Sequence, residues 1–246
     1  MVTTADQQEI DNFAALSDKW WDPGGPMATL HSFTPVRISY ILASIERFWP
    51  TASRPDANQF CPLKGLSILD IGCGGGLLAE PMARLGGNVT GIDITEKLTK
   101  VATTHATQSG LDIHYECNSV ETLAHSGVTY DVIYASEVIE HVSNRTLFIE
   151  AIASILHPNG VVIITTINRS IPALLFAKFA MEYVIRLIPP GTHNPKKFIR
   201  PGELQEEFSA FNIILDDLTG LTPQPGGGFR QTGNLAINYA ASGGFA

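Results

Sequence analysis

The chain has little positive charge, few cysteines and no apolar run long enough to stand out as a membrane span. Sixteen Lys and Arg residues against 24 Asp and Glu residues give a formal net charge of −8. This balance lacks the basic surface with which proteins hold nucleic-acid phosphates, so we expect a small-molecule substrate and no nucleic acid. The three cysteines, Cys61, Cys73 and Cys117, show no C-x-x-C spacing, which indicates reduced thiols in a reducing compartment.

The N-terminal segment lacks the features of a targeting peptide. It carries Asp6, Glu9 and Asp11 and has no arginine before Arg37. Signal peptides begin with positive charge, and transit peptides are rich in arginine and poor in acidic residues. We therefore expect a bacterial cytoplasmic protein, or a protein from which a presequence has been removed.

The most informative motif is a glycine-rich turn, residues 72–76, which follows an apolar strand predicted at 66–71. Glycine has no Cβ, so the backbone of such a turn can bend sharply and approach a ligand closely. The dinucleotide fingerprint G-x-G-x-x-G would need a glycine where Leu77 stands, and a phosphate loop would need Lys followed by Ser or Thr. The sequence contains neither.

Two acidic residues accompany this turn. Asp70 stands two residues before the first glycine, and Asp93 ends a second apolar segment at 88–93, where an acidic residue grips ribose hydroxyls. The combination Asp70-x-Gly72-x-Gly74 with Asp93 resembles motifs I and II of the class I S-adenosylmethionine-dependent methyltransferases. The resemblance implies S-adenosylmethionine as cosubstrate and a Rossmann-like α/β fold.

The pattern of apolar segments agrees with one α/β domain over residues 1–246. From Leu66 onward strand and helix patterns alternate, which predicts a mostly parallel twisted sheet with helices on both faces. The predicted strands are 66–71, 88–93, 112–117, 130–135 and 160–167, with helices at 77–85, 95–108 and 145–156. Around this core, 66–167, we expect three further parts. N-terminal helices at 5–21 and 36–48, the second opened by Pro35, lie within 1–50 and cover the site. An apolar insertion follows at 171–200, and a C-terminal hairpin lies within 211–241. Its strands, 211–218 and 235–240, flank the loop 222–228 and would supply an antiparallel edge.

A second group of polar residues follows the fourth predicted strand. Glu137, Glu140 and His141 stand at i, i+3 and i+4, so a helical turn would bring their side chains to one face. Two carboxylates and an imidazole suit Mg²⁺ or Mn²⁺, and Zn²⁺ is also possible. The alternative is that Glu140 and His141 merely cap a helix and order loops on the substrate side.

The chain resembles the ubiquinone-biosynthesis O-methyltransferase family over nearly its whole length. The resembling segments are 13–22 with Trp20-Trp21-Asp22, 30–31 with 35–37, 69–76, 137–142, 166–169, 190–193 and 196–201. The resemblance implies methylation of a hydroxyl on a polyprenylated aromatic ring at two steps, with a divalent metal, Mg²⁺ in first place, at Glu137, Glu140 and His141. It places cofactor contacts at Arg37, Gly72, Asp93 and Ser136. At the position of Ser136 the family commonly has a bulkier Met. The full predicted cofactor site is Arg37, Asp70, Gly72, Gly74, Asp93, Ile94, Ser119, Val120 and Ser136.

The implied reaction requires that a phenolic proton be removed. A phenol with a pKa near ~10 is mostly protonated at neutral pH and is a poor nucleophile. A metal held by Glu137, Glu140 and His141 would lower that pKa, which is the favoured hypothesis. Alternatively, His141 or His193 acts directly as the general base. The predicted catalytic residues are therefore Glu137, Glu140, His141 and His193.

The insertion has a strongly apolar segment at residues 171–190. Lys178, Glu182 and Arg186 form one narrow charged stripe on a predicted helix of ~16 residues, short of the ~20 apolar residues that span a bilayer. Either this helix is buried over the active site, or it lies in a membrane interface and admits a polyprenyl tail. Lys196, Lys197 and Arg200 could then meet anionic headgroups, although such clusters are often only solvated.

Two other functions remain compatible with the sequence. One is methylation of another small aromatic or lipid acceptor, and the other is a non-catalytic cofactor-binding subunit of a membrane biosynthetic assembly. In the favoured reading the protein is cytoplasmic in a bacterium, or lies on the matrix side of the mitochondrial inner membrane. It would contact the membrane peripherally through 171–190 and could join a quinone-biosynthesis assembly.

Overall fold

A single eight-stranded sheet forms the centre of the computed structural model, which describes Thr4, residues 7–175 and residues 197–246. The strands are β1 (Ser67–Ile71), β2 (Asn88–Asp93), β3 (His114–Cys117), β4 (Tyr130–Ser136), β5 (Leu156–Ile167), β6 (Ile213–Pro223), β7 (Phe229–Thr232) and β8 (Asn238–Phe245). Their order across the sheet is β3-β2-β1-β4-β5-β8-β6-β7. The helices are α1 (Gln7–Ala14), α2 (Ala28–Phe48), α3 (Ala79–Arg84), α4 (Glu96–Gln108), α5 (Val120–Leu123), α6 (Arg145–Ile155) and α7 (Pro201–Ser209).

The first five strands run parallel, and the last three are antiparallel to their neighbours. Asp70 on β1 pairs with Gly91 on β2 and with Tyr134 on β4. The carboxyl ends of these strands therefore meet at one edge of the sheet, where open α/β folds bind their ligands. The predicted Rossmann-like sheet with an antiparallel edge is confirmed.

Apolar side chains cover both faces of the sheet, because successive strand residues point to opposite sides. Leu69 packs with α6 and α7, whereas its neighbour Ile68 packs with α2 and α3. A strand buried on both faces reads as a continuous apolar run, which is why the core strands were recognisable in the sequence. None of the helices in the described ranges is both long and apolar enough to cross a membrane.

The N-terminal helices differ from their predicted bounds. The predicted helix at 5–21 is described only from Gln7 and ends at Ala14, where Ser17 Oγ donates to the Ala14 carbonyl and a 3₁₀ turn, Ser17–Lys19, follows. The second helix begins at Ala28, so Pro35 lies inside α2 and does not open it. In a sequence, proline indicates the first turn of a helix, because the N–H that it lacks has no partner there. Tertiary packing can nevertheless hold a proline in an interior turn.

The C-terminal part is also more elaborate than predicted. The strands predicted at 211–218 and 235–240 do pair, as β6 and β8, but β7 adds a further edge strand within the connection between them. Gly226, Gly227 and Gly228, with φ of 93°, 102° and 76°, allow the chain to reverse between β6 and β7. Helices α5 and α7 were not predicted. β5 begins at Leu156, because Leu156 still pairs with Tyr130 on β4 beyond a bulge that separates this pair from the rest of the ladder.

Most of the apolar insertion lies outside the described residues. Residues 171–175 are helical, and the chain is described again from Lys197. The predictions for Lys178, Glu182, Arg186, His193 and Lys196 therefore concern residues beyond the described ranges.

Candidate active site

One cavity of about 400 Å³ lies at the carboxyl ends of the parallel strands. This volume falls within the range of small-molecule sites. The structure brings all nine predicted cofactor residues to its wall, together with Glu137, Glu140 and His141. The residues in that wall are Arg37, Asp70, Gly72, Gly74, Asp93, Ile94, Ser119, Val120, Ser136, Glu137, Glu140 and His141.

The glycine turn crosses the floor of this cavity. The amide N–H groups of Gly72 and Cys73 both donate to the Ile92 carbonyl, at 2.8 and 3.0 Å, which joins the turn to β2. Gly72 and Gly74 have φ of 69° and 53°, in the left-handed region that favours glycine. A Cβ on Gly74 or Gly75 would lie under 3.0 Å from the Trp20 ring, so these two glycines make room for that indole. The sequence motif thus serves protein packing as well as close approach to a ligand.

Asp93 connects the turn to the end of β2. Its Oδ2 accepts a hydrogen bond from the Gly74 N–H at 2.9 Å, and its Oδ1 accepts one from the Thr95 N–H at 2.8 Å. Each carboxylate oxygen has a further acceptor position for a ligand hydroxyl. Burial raises the pKa of Asp93, and the two backbone donors lower it. This carboxylate can hold a pair of ribose hydroxyls, so the donor set fits an adenosine-containing cofactor.

Asp70 and Arg37 form the buried ionisable part of the site. Both side chains are almost fully buried, and among the described residues Asp70 Oδ2 finds no hydrogen-bond partner. Burial raises the pKa of Asp70 to about 8, against the lowering effect of Arg37. Arg37 donates to Ser136 Oγ at 2.9 Å and to Thr34 Oγ1 at 2.9 Å. The Ser136 hydroxyl is therefore hydrogen-bonded to Arg37. This contact fits the small size of serine, compared with the Met that is common at this position in the resembling family.

Ser119 and its neighbours bound the cavity beside the third strand. Ser119 Oγ accepts from the Thr122 N–H at 3.2 Å and so caps α5. Ser119 N–H in turn donates to Asn118 Oδ1 at 2.9 Å. Ile94 and Val120 add apolar surface to the same wall, as an adenine ring would require.

Glu137 stands at a sharp bend after β4. Its φ of 57° is unusual for a residue with a Cβ and turns its side chain into the cavity wall. Thr165 Oγ1 donates to Glu137 Oε1 at 3.0 Å, and Asn238 Nδ2 donates to Oε2 at 3.1 Å. Burial first, and then the negative charge of Glu140, raise the pKa of Glu137 to about 7.

Glu140 and His141 lie on a 3₁₀ turn, Ile139–His141. The buried Glu140 carboxylate accepts from Thr166 Oγ1 at 2.8 Å. The His141 ring stands edge-on to the Phe13 ring at a centroid distance of 5.7 Å. All three members of the predicted group reach the same cavity.

The two carboxylates of the predicted metal site are already hydrogen-bonded within the protein. Nowhere in the described part of the chain do three or more His, Cys, Asp or Glu side chains meet as a metal-binding group. Both oxygens of Glu137 and one of Glu140 are instead directed at protein donors. The geometry therefore gives no support to a metal centre of Glu137, Glu140 and His141.

Several residues in the cavity wall or directly behind it were not found from the sequence. Thr165 and Asn238 orient Glu137, and Trp20 and Phe13 close the cavity from the N-terminal side. A hydroxyl inside the apolar run of β5 was a usable signal for Thr165. The sequence offered no such signal for Asn238, because it lies 101 residues from Glu137 along the chain.

Fold and site together define a class, that of Rossmann-like S-adenosylmethionine-dependent methyltransferases. Residues 69–164 match the family model described as a methyltransferase domain. Solved structures with a similar fold include magnesium protoporphyrin IX methyltransferase from Synechocystis with bound SAH, with a TM-score of 0.62 at 16% identity over 98% of this chain and 95% of that one. A possible histamine N-methyltransferase from Thermotoga maritima is similar with a TM-score of 0.61 at 12% identity, over 96% of this chain and 99% of that one. At such identities the likeness concerns the fold alone.

Closer relatives identify the particular family. The chain is 41% identical to a ubiquinone biosynthesis O-methyltransferase of Sinorhizobium fredii over 96% of this chain and 94% of the relative. It is 42% identical to one of Brucella ovis over the same shares of both chains. The chain belongs to the ubiquinone biosynthesis O-methyltransferase family.

Proposed function

We propose that this methyltransferase methylates a hydroxyl of a polyprenylated phenol or catechol in ubiquinone biosynthesis, at both O-methylation steps. The observation that carries the proposal is a cavity with a carboxylate-lined end and an apolar wall. The chain that contains it is similar, over 96% of its length, to a relative named for this pathway. Phe33, Phe229 and Ile167 contribute to the apolar wall. Such a surface suits an aromatic ring that carries a hydrocarbon tail.

The cofactor end of the cavity holds S-adenosylmethionine, which supplies the methyl group when bound. Asp93 accepts hydrogen bonds from ribose hydroxyls, and Ile94 and Val120 contact the adenine ring. The backbone of the turn at Gly72 and Gly74 approaches the remainder of the cofactor. Support comes from their common position on one cavity wall and from the free acceptor capacity of Asp93.

His141 takes the proton from the acceptor hydroxyl. Imidazole titrates near neutral pH, so it can act as a base where a phenol is mostly protonated. As the proton moves to a ring nitrogen of His141, the acceptor oxygen forms a bond to the methyl carbon and the sulfur–carbon bond breaks. Glu137 and Glu140 lie in the neighbouring wall and are held in place by Thr165, Asn238 and Thr166. His193 is the alternative base, and it lies outside the described residues.

The experiment that tests this function is methyl transfer to paired acceptors. Catechols with and without a polyprenyl tail are compared, and a phenol represents the other methylation step. We expect the tail to raise kcat/KM, because the apolar wall binds it. Equal rates with tailed and untailed acceptors would indicate another aromatic acceptor.

A second pair of measurements tests the base and the metal. We expect His141→Gln to lower kcat about 10²- to 10⁴-fold, the usual contribution of a general base. His114→Gln, at an exposed position on β3, is the matched control and should leave kcat unchanged. Activity should persist after exhaustive chelation, since the described carboxylates are engaged with protein donors. Loss of activity that Mg²⁺ restores would instead establish the metal-assisted route.

We further propose that the protein is cytoplasmic in a bacterium and contacts the membrane peripherally at the start of the insertion. Ile171 and Leu175 stand at i and i+4 on a helical segment and are 74% and 64% exposed. Two large apolar side chains on one exposed face suit an interface with lipid. The same surface would serve a quinone-biosynthesis assembly.

Co-sedimentation with liposomes tests the membrane contact. We expect the paired change Ile171→Glu and Leu175→Glu to reduce binding. Phe60→Glu, at a position 77% exposed in the connection before β1, is the matched control. Equal binding by the paired variant and the control would exclude this face as the contact.

A further inference from the structure

The N-terminal segment passes over the cofactor cavity and forms part of its wall. Residues 7–21, here named the strap, comprise α1, the 3₁₀ turn and the Trp20-Trp21 pair. Ile10, Phe13, Leu16 and Trp20 line the cavity opposite the glycine turn and Asp93. A ligand bound on the turn would therefore lie beneath the strap.

Trp21 attaches the end of the strap to the cofactor turn and to α4. Its Nε1 donates to the Gly75 carbonyl at 2.9 Å. Its ring stacks on the His105 ring at a centroid distance of 3.5 Å and an interplanar angle of 5°. His105 Nδ1 is hydrogen-bonded to Glu80 Oε1 at 2.5 Å, and Glu80 is only 3% exposed. The stacking partner of Trp21 is thus held from behind by a buried carboxylate on α3.

The strap also reaches the side of the cavity that holds the proposed base. Phe13 stands edge-on to His141, as described above. Just before the strap, Thr4 Oγ1 donates to Glu121 Oε1 at 2.7 Å, and its carbonyl accepts from the Ser143 N–H at 2.8 Å. One segment therefore touches both the cofactor turn and the turn after β4.

We propose that Trp21 and His105 are positioning residues that hold the strap closed over bound S-adenosylmethionine and so set the rate of cofactor exchange. With the strap closed, Trp20 lies against the glycine turn, and Leu16 and Phe13 line the cavity beside it. The contacts of Trp21 include a hydrogen bond and a ring stack, and contacts of this kind break and re-form without unfolding the sheet. The inference rests on the S-adenosylmethionine site and is independent of the acceptor.

The test is the dissociation rate of S-adenosylhomocysteine, measured by stopped-flow displacement from the full chain. We expect Trp21→Ala and His105→Ala each to accelerate dissociation about tenfold or more, without slowing association. Trp21→Phe keeps the ring stack and loses only the hydrogen bond, so it should restore most of the parent rate. Trp49→Ala is the matched control, because Trp49 also faces a histidine ring, His157, but lies outside the strap.

The outcomes separate a latch from ordinary packing. If Trp21→Ala lowers only the melting temperature, as Trp49→Ala does, and leaves dissociation unchanged, the proposal is overturned. Should Trp21→Ala fail to fold, His105→Ala decides in the same way, since it removes the stacking ring from the opposite partner. No acceptor enters the measurement, so a wrong acceptor would leave these rates untouched and would appear only in the methyl-transfer assay.

Discussion

At the scale of single residues, Asp93 has two tasks that compete for the same atoms. Its two oxygens accept hydrogen bonds from the Gly74 and Thr95 N–H groups, and their remaining acceptor positions would serve the proposed ribose contact. Gly74 in turn lacks a Cβ because Trp20 fills the space above it. The chemistry and the packing of the motif are therefore inseparable at this point.

Replacing Asp93 by Asn should weaken cofactor binding. The change removes the negative charge and one acceptor oxygen, and a lost charged hydrogen bond corresponds to about 10- to 100-fold in affinity. Isothermal titration with S-adenosylhomocysteine measures the effect. Asp112→Asn, exposed before β3, should bind like the parent. Equal affinities for the two variants would remove Asp93 from the cofactor site.

Asp70 should make the stability of the ligand-free protein fall as the pH rises. Burial raises its pKa to about 8 in the folded state, whereas the ordinary value is 3.8. The folded protein therefore keeps a proton that the unfolded chain releases, so the stabilisation is complete below about pH 4 and is lost progressively up to about pH 8.

The Asp70→Asn variant cannot titrate and should lose this dependence. We expect its melting temperature, relative to that of the parent, to rise steadily between pH 5 and pH 8. Thermal melts at several pH values, with Asp112→Asn as the control, measure the difference. A constant difference across this range would show that Asp70 is already ionised in the folded protein.

At the scale of elements, α2 brings Arg37 to the cavity while carrying a proline in its interior. Pro35 removes a backbone donor two residues before Arg37, and helix interiors disfavour proline. Arg37 is nevertheless held by Ser136 and Thr34, and its guanidinium lies 4.9 Å from the Phe33 ring centroid. Tertiary contacts therefore decide the helix here against its local preference.

Pro35→Ala should stabilise the protein by about 1–2 kcal/mol, because the regained helical hydrogen bond outweighs the greater freedom of the unfolded chain. Ala43→Pro, at an exposed position of the same helix, should cost about 3 kcal/mol. Denaturant titrations give both free energies. A loss of stability in Pro35→Ala would mean that the proline is required for the path of α2.

The central strands illustrate which elements a sequence reveals. β1, β2 and β4 lie within a residue or so of their predicted bounds, since each contains buried apolar residues that stand out in the sequence. β7 was missed because it is short, lies at the edge and has exposed residues in its centre. The turn at Ile139–His141 is a 3₁₀ turn, and the spacing of Glu137, Glu140 and His141 does not by itself distinguish the two helix types.

At the scale of the whole molecule, we propose that residues 1–246 fold as one domain. The antiparallel strands β8, β6 and β7 continue the parallel sheet, and α2 packs against β5 and β7. The cavity is walled by the strap and by residues of β1, β4, β5 and β8. Ligand binding should consequently stabilise distant parts of the chain together.

Unfolding should occur in a single transition. All three tryptophans lie within the first 49 residues, so tryptophan fluorescence reports the N-terminal part while far-UV circular dichroism reports the whole chain. We expect the two curves to coincide, and S-adenosylhomocysteine at about 100 times its Kd should shift both by about 2.7 kcal/mol. A fluorescence transition that precedes the loss of circular dichroism would assign residues 1–50 to a separate unit.

The sequence by itself determined the parallel sheet, the glycine turn with Asp70 and Asp93, and the group Glu137, Glu140 and His141, because each depends on neighbours close in the chain. Only the tertiary structure decided how those groups are used. Thr165, Asn238 and Thr166 hold the two carboxylates by hydrogen bonds, and Trp21 at the end of the strap stacks on His105. Contacts between residues far apart along the chain form only when the sheet assembles, so no local pattern encodes them.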